Sequence, residues 1–190
     1  MSKTVDIFKT AIHTESIVSK NIEKYFLNML KGYDTGVQIS NKGGFQSKSF
    51  DAIDSLIEQK LFINPTIKYL QSMGLSKNVK IKIHSYWINV NSYGSYNSVH
   101  HHLPRSLSGI YFLKTPKKCG NLVFLNNFDN KDDGVYFCKD EISPYYKTKY
   151  YIVPQKNNLY LFQSDLKHMV EPNLSKEKRI SVAFNLDLFE

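Results

Sequence analysis

The apolar residues change their spacing at Gly74. From Ser16 to Lys31, Ile17, Val18, Ile22, Tyr25, Phe26, Met29 and Leu30 recur at helical intervals, and Gly32 follows as a stop. A loop from Tyr33 to Gln46 leads to a second helical run over Asp51 to Lys60 and a third after Pro65, carrying Ile67, Leu70 and Met73. Beyond Gly74, Lys80-Ile81-Lys82-Ile83-His84 and Trp87-Ile88-Asn89-Val90-Asn91 alternate at period two, which sends successive side chains to opposite faces of a strand. Further strands are expected at Leu107–Leu113, Leu122–Leu125, Tyr150–Val153, Leu159–Phe162 and Arg179–Leu188, between Gly, Pro, Asn and Lys turns. Helices followed by a series of short strands predict an α+β chain in which the helices pack on a β-sandwich or barrel.

A chain of 190 residues, 42% of them hydrophobic, can close one sizeable core and gives no compositional reason for two. A single domain over 1–190 is expected, with 1–75 as mostly helical support and 76–190 as the β core. The formal charge of +8 favours anionic partners, but the lysines are scattered and no compact basic block marks a nucleic-acid surface. Cys119 and Cys138 have neither metal-ligand spacing nor the density of a disulfide scaffold, so both are expected as free thiols in a reducing compartment. No run of about 18 uncharged apolar residues occurs. A cytoplasmic protein without a membrane partner is expected. The segment from Asn126 to Lys149 is long for a hairpin loop and reads equally as an active-site cover or a plain surface insertion.

Three constellations can carry chemistry. In Val99-His100-His101-His102-Leu103, extended backbone puts His100 and His102 on one face, where they can share an ion while His101 points away. Adjacent histidines alone are more often a polar loop. His168 follows the apolar run Leu159-Tyr160-Leu161-Phe162 and can supply a third ligand from a distant strand, or can be a surface residue beside Lys167. In Arg179-Ile180-Ser181-Val182-Ala183-Phe184-Asn185-Leu186, Arg179, Ser181 and Asn185 share the face opposite Ile180, Val182, Phe184 and Leu186. A guanidinium facing into a barrel needs an anionic partner, either a ligand carboxylate or an internal Asp or Glu.

The ordered set is more specific than its parts. Gly43-Gly44-Phe45-Gln46-Ser47, Trp87-Ile88-Asn89-Val90-Asn91, Gly94-Ser95-Tyr96-Asn97, His100-His101-His102 and Ser108-Gly109-Ile110-Tyr111-Phe112 are followed by His168-Met169-Val170-Glu171-Pro172-Asn173 and Arg179-Ile180-Ser181-Val182-Ala183-Phe184-Asn185. Together they resemble a family of 2-oxoglutarate and iron(II) oxygenases within the prolyl-hydroxylase-like superfamily, over nearly the whole chain. The resemblance implies a double-stranded β-helix, or jelly roll, with N-terminal helices packed on one sheet. It implies a dioxygenase, a hydroxylase of an unidentified substrate, using Fe(II), 2-oxoglutarate and O2, with ascorbate as a further candidate requirement. His100, His102 and His168 would bind the metal, and Arg179 would pair with the far carboxylate of 2-oxoglutarate. Ser181, Tyr111 and Asn91 would add contacts to the cosubstrate. The wider superfamily usually carries a carboxylate where His102 stands, so this ligand set would be one negative charge short. In the turn from Pro154 to Leu159, Asn157 takes a place often held by Gly, which suits left-handed backbone.

The substrate stays open among protein residues, nucleobases and small molecules, and a homodimer is an admissible assembly. Three competing readings remain at this point: a non-catalytic metal-binding β-sandwich, a three-histidine cupin-type dioxygenase that does not use 2-oxoglutarate, and a nucleic-acid-binding protein.

Overall fold

A computed structural model describes residues 9–32, 36–75, 78–126 and 148–190. Most of the 126–149 segment, Cys138 and the extreme N-terminus lie outside the described residues.

The chain runs β1 (Ile12–Ser16), α1 (Lys20–Leu30), β2 (Asn41–Lys42), β3 (Phe45–Gln46), then α2 (Ser55–Glu58) and α3 (Asn64–Ser72) joined by a π-helical turn at Gln59–Ile63. There follow β4 (Lys80–Asn91), β5 (Tyr96–His100), β6 (Leu107–Lys114), β7 (Leu122–Leu125), β8 (Lys149–Ile152), β9 (Asn158–Gln163), β10 (His168–Val170) and β11 (Arg179–Phe189). The strands form two antiparallel sheets, one ordered β1-β9-β6-β11-β4-β3 and the other β2-β5-β10-β7-β8. This is the jelly roll, with the helices on the outer face of the larger sheet.

The helical run expected from Ser16 starts later, at Lys20. Ile12–Ser16 instead pair with β9, Ile17 N–H donates to the Asn157 carbonyl, and Ser19 caps α1 by accepting from the Ile22 amide. The first third is therefore less purely helical than its spacing suggested, because β1, β2 and β3 all join the sheets. The two alternating runs at 80–84 and 87–91 form one strand with a bulge at His84. Against β11, Asn185 pairs with Ser85 and Leu186 with Ile83, so the extra residue restores Ile83, Tyr86 and Ile88 to one face.

That face meets the helices. Phe26, Leu61, Phe62 and Tyr69 pack on Tyr86, Ile88, Tyr111, Val182, Phe184 and Leu186, and this forms the larger core. A smaller apolar cluster lies between the sheets, built from Ile110, Phe112, Leu122, Phe124, Tyr160 and Phe162. The rest of that inter-sheet layer is polar: Asn41, Asn89, Asn91, Asn97, His168, Arg179 and Ser181 are all buried. Buried polar groups must be bonded or serve a ligand, so this layer locates the site. Asn157 has φ of 67°, in the left-handed region, as expected for its turn. Cys119 is a buried free thiol. Among the described residues, no helix is long and apolar enough to cross a membrane.

Candidate metal and cosubstrate site

The smaller sheet brings the histidines together. β10 pairs with β5 so that His168 stands directly opposite His100, and one strand step beyond β5 the chain turns to present His102. The ligand-capable nitrogens of the three rings lie within 4.8 Å of one another. Ring centroids are 4.3 Å apart for His100 and His168, 4.9 Å for His100 and His102, and 5.1 Å for His102 and His168. His101 is exposed and turned away, its Nδ1 accepting from the Leu103 amide at 3.3 Å.

Local hydrogen bonds fix which nitrogen each ring offers. His100 Nδ1 lies 2.7 Å from the Ser98 carbonyl oxygen, and His168 Nδ1 lies 2.9 Å from that of Leu166. A carbonyl can only accept, so both Nδ1 atoms carry the proton and both Nε2 lone pairs are free to ligate. Burial holds all three imidazoles neutral. It lowers His100 and His168 below the ordinary range, and together with the neighbouring histidines takes His102 down to about 3. Neutral imidazoles with oriented lone pairs are a metal-ligand set, and the residues present fit a divalent ion.

A cavity of about 30 Å³ lies between the rings and the larger sheet, walled by Trp87, Asn89, Asn97, Ile110, Phe162 and Ala183. Trp87 lies against His102 at 5.6 Å and Phe162 against His168 at 4.7 Å. Among the described residues no carboxylate lines this space. It admits an ion or a water, and a longer ligand requires its side chains to rotate.

Arg179 is 1% exposed, the largest fully buried side chain described. It pairs in register with Asn91 at the end of β11. Its Nη1 donates to the carbonyls of Cys119 and, at 2.9 Å, Glu171. Among the described residues its Nη2 has no partner, and no ion pair involves Arg179. Burial pulls its pKa down to about 10, which still leaves it charged at neutral pH. Among the described residues no internal Asp or Glu neutralises it, so a buried cation stands there with its Nη2 unpartnered. That arrangement fits an anionic group.

The remaining expected residues divide. Ser181 is buried on the inner face of β11, in register between Asn89 and Phe112. Asn91 is also on the inner face, but its Nδ2 is used on Asn41 and its unpartnered atom is the oxygen Oδ1. A buried, unpartnered acceptor does not suit direct contact with a carboxylate. Tyr111 does not reach the site. It belongs to the helix-facing core, and its hydroxyl donates to the Ile17 carbonyl at 2.7 Å. Tyr111 thus stands on the helix-facing side of the larger sheet, with its hydroxyl already engaged, which does not favour the expected cosubstrate contact.

Asn89, Asn41 and Trp87 were not singled out from the sequence, yet they border or support the cavity. A signal existed in Asn89 and Asn91, because two asparagines on one face of a strand otherwise rich in apolar residues must be bonded or serve a ligand.

A jelly roll with three convergent imidazoles and a buried, uncompensated arginine defines a metal-dependent oxygenase architecture. The family model described as "Putative 2OG-Fe(II) oxygenase" matches residues 85–185, more than half of the chain, and the protein belongs to that family. No curated protein matches it. Solved structures share the fold. A Pseudomonas putida prolyl-4-hydroxylase is 14% identical, with 94% of this chain and 93% of that chain covered and a TM-score of 0.62. HygX from Streptomyces hygroscopicus, with nickel, 2-oxoglutarate and hygromycin B bound, is 10% identical over 94% and 83%, with a TM-score of 0.61. An oxidoreductase of the 2OG-Fe(II) oxygenase family from Burkholderia pseudomallei is 12% identical over 70% of this chain, with a TM-score of 0.51, and this chain spans only 53% of its length.

Proposed function

We propose that this protein is a 2-oxoglutarate- and Fe(II)-dependent dioxygenase that hydroxylates a substrate still to be identified. The observation that carries this reading is the pairing of three neutral, preoriented imidazoles with a buried guanidinium whose Nη2 is idle. His100, His102 and His168 hold the iron, and Arg179, assisted by Ser181, holds the far carboxylate of 2-oxoglutarate. When bound, iron with 2-oxoglutarate and O2 supplies the oxidation of a substrate C–H bond coupled to release of CO2 and succinate. The protein's own part is to orient these groups, with Trp87 and Phe162 packed beside the ligands to limit water.

Three imidazoles contribute no negative charge, so the iron keeps its full positive charge until the dianionic cosubstrate arrives. Together with Arg179 this favours anionic ligands at both ends of the site. The three-histidine cupin-type alternative and a silent metal-binding sandwich both leave the Arg179 donor without a purpose. Prolyl peptides and small molecules are the first substrate classes to test, since structural neighbours include a prolyl-4-hydroxylase and a protein crystallised with hygromycin B.

The deciding experiment adds 2-oxoglutarate to the Fe(II) protein without oxygen. A charge-transfer absorption band is expected, and with air and ascorbate the same sample releases succinate. A protein that binds iron yet gives neither signal would be the cupin-type or silent alternative.

A further inference from the structure

The buried amides across the cavity from the histidines have a fixed polarity, and it is set from outside the matched segment. Asn41, wholly buried on β2, donates through Nδ2 to the Phe45 carbonyl at 3.0 Å and to Asn89 Oδ1 at 3.2 Å. The Phe45 carbonyl can only accept, so the Asn41 atom facing it must be nitrogen. That nitrogen obliges Asn89 to present its oxygen to Asn41. The Asn89 amide N–H group is thereby turned to the cavity that Asn89 lines with His100, His102 and His168. On its other side, Asn41 Oδ1 accepts from Asn91 Nδ2 at 3.3 Å, which leaves Asn91 Oδ1 buried and unpartnered. One amide thus orients its two neighbours in opposite senses, Asn89 as a donor and Asn91 as an acceptor. Gly44 leaves the space this needs: a Cβ there would lie 2.5 Å from Asn41 Oδ1 and 2.7 Å from the Val90 carbonyl.

The 2-oxo acid end of 2-oxoglutarate offers only acceptors. Among the described residues no cationic side chain lines the cavity beside the histidines to meet them, while Asn89 brings a donor to that end. Resting on the reading of this site as a 2-oxoglutarate site, we propose that Asn89 is a cosubstrate-binding donor at the histidine end and that Asn41 is the positioning residue that keeps it so. Arg179 and Asn89 then serve opposite ends of one molecule. The hairpin bearing Asn41, which pairs with both sheets through β2 and β3, becomes part of the binding machinery.

The test measures binding of two acids to the Fe(II) protein without oxygen, by calorimetry. One is 2-oxoglutarate; the other is 2-oxovalerate, which keeps the 2-oxo acid and lacks the distal carboxylate. Asn89→Asp retains the bond to Asn41 but shows oxygen to the cavity, and Asn89→Ala removes the donor without adding charge. Both are expected to weaken the two acids by the same factor, roughly tenfold or more. Asn41→Asp lets Asn89 turn over and is expected to do likewise, with iron still bound. Arg179→Ala, in contrast, is expected to weaken 2-oxoglutarate alone. Wild-type affinity in both Asn89 variants would overturn the proposal while leaving the oxygenase reading intact. Wild-type affinity in Asn41→Asp alone would overturn the positioning role. Failure of the unmodified Fe(II) protein to bind 2-oxoglutarate would overturn the underlying reading as well. If Asn41→Asp does not fold, the two Asn89 variants decide.

Discussion

A buried arginine without a counter-ion is an unusual liability for a folded chain, and among the described residues Arg179 is bonded to the carbonyl oxygens of Cys119 and Glu171 and to no carboxylate. A ligand carboxylate relieves that deficit, so 2-oxoglutarate should stabilise the Fe(II) protein against heat. The gain is about 2.7 kcal/mol when free ligand exceeds its Kd a hundredfold. Arg179→Ala should abolish this thermal shift and leave the iron content unchanged, as read by differential scanning calorimetry and metal analysis. Equal loss of iron would point instead to a disturbed fold. Tyr111 makes the opposite case. Removing its hydroxyl strips the Ile17 carbonyl of a donor, so Tyr111→Phe should cost about 1 kcal/mol in urea unfolding. Its affinity for 2-oxoglutarate should stay at the wild-type value. The residues legible in the sequence were those on strands with a clear facing signal. His100 and His102 sit at i and i+2, and Arg179 and Ser181 alternate with apolar neighbours. Tyr111 had no facing signal of its own, because β6 is buried on both sides. Leu107 to Leu113 is buried at every position, so alternation there carries no direction.

Elements are where long-range pairing overrides local pattern. β1 looks like the lead-in to a helix, and only its ladder with β9, closing an edge of the larger sheet, makes it a strand. The hairpin β2–β3 has two residues on each side and no period to read, yet it joins both sheets and carries Asn41 into the interior. By contrast β4 and β11 were legible almost end to end, since one face of each meets the helices and the other meets a polar layer. The strand on the other side of β11, β6, depends on a small residue. Gly109 lies opposite Phe184 of β11, and a Cβ at Gly109 would intrude on the Phe184 ring. Phe184 in turn stacks on Phe62 of the helical layer at 4.4 Å, so the ring cannot simply move aside. Gly109→Ala should therefore destabilise the protein by about 1–3 kcal/mol, seen as a lower urea midpoint with an unchanged slope. A silent substitution would mean that the helices yield easily, and that their packing on the sheet is looser than these contacts indicate.

At the scale of the molecule, the three imidazoles make metal-free stability depend on pH. Each has its pKa lowered by burial first, and His102 falls to about 3. In the unfolded chain each takes up a proton near pH 6.5, whereas the folded state takes it up only at lower pH. Below pH 6.5 the unfolded state thus binds more protons, and stability falls as pH falls. The decline levels off only where the folded site is itself protonated, for His102 near pH 3. Each buried imidazole can contribute at most about 1.4 kcal/mol per pH unit across its window. On the proposed function Fe(II) bound by these histidines would stabilise the folded site, so the metal-loaded protein should stand above the metal-free one at every pH where the imidazoles are neutral. Urea unfolding of metal-free protein at pH 7.5, 6 and 5 measures the slope, with carboxylate contributions subtracted by repeating the series on His102→Asn and His168→Asn. Those variants should show a shallower loss on acidification. A slope identical to wild type would mean that the imidazoles are already solvated in the metal-free state, and that the tight dry cluster forms only around the ion.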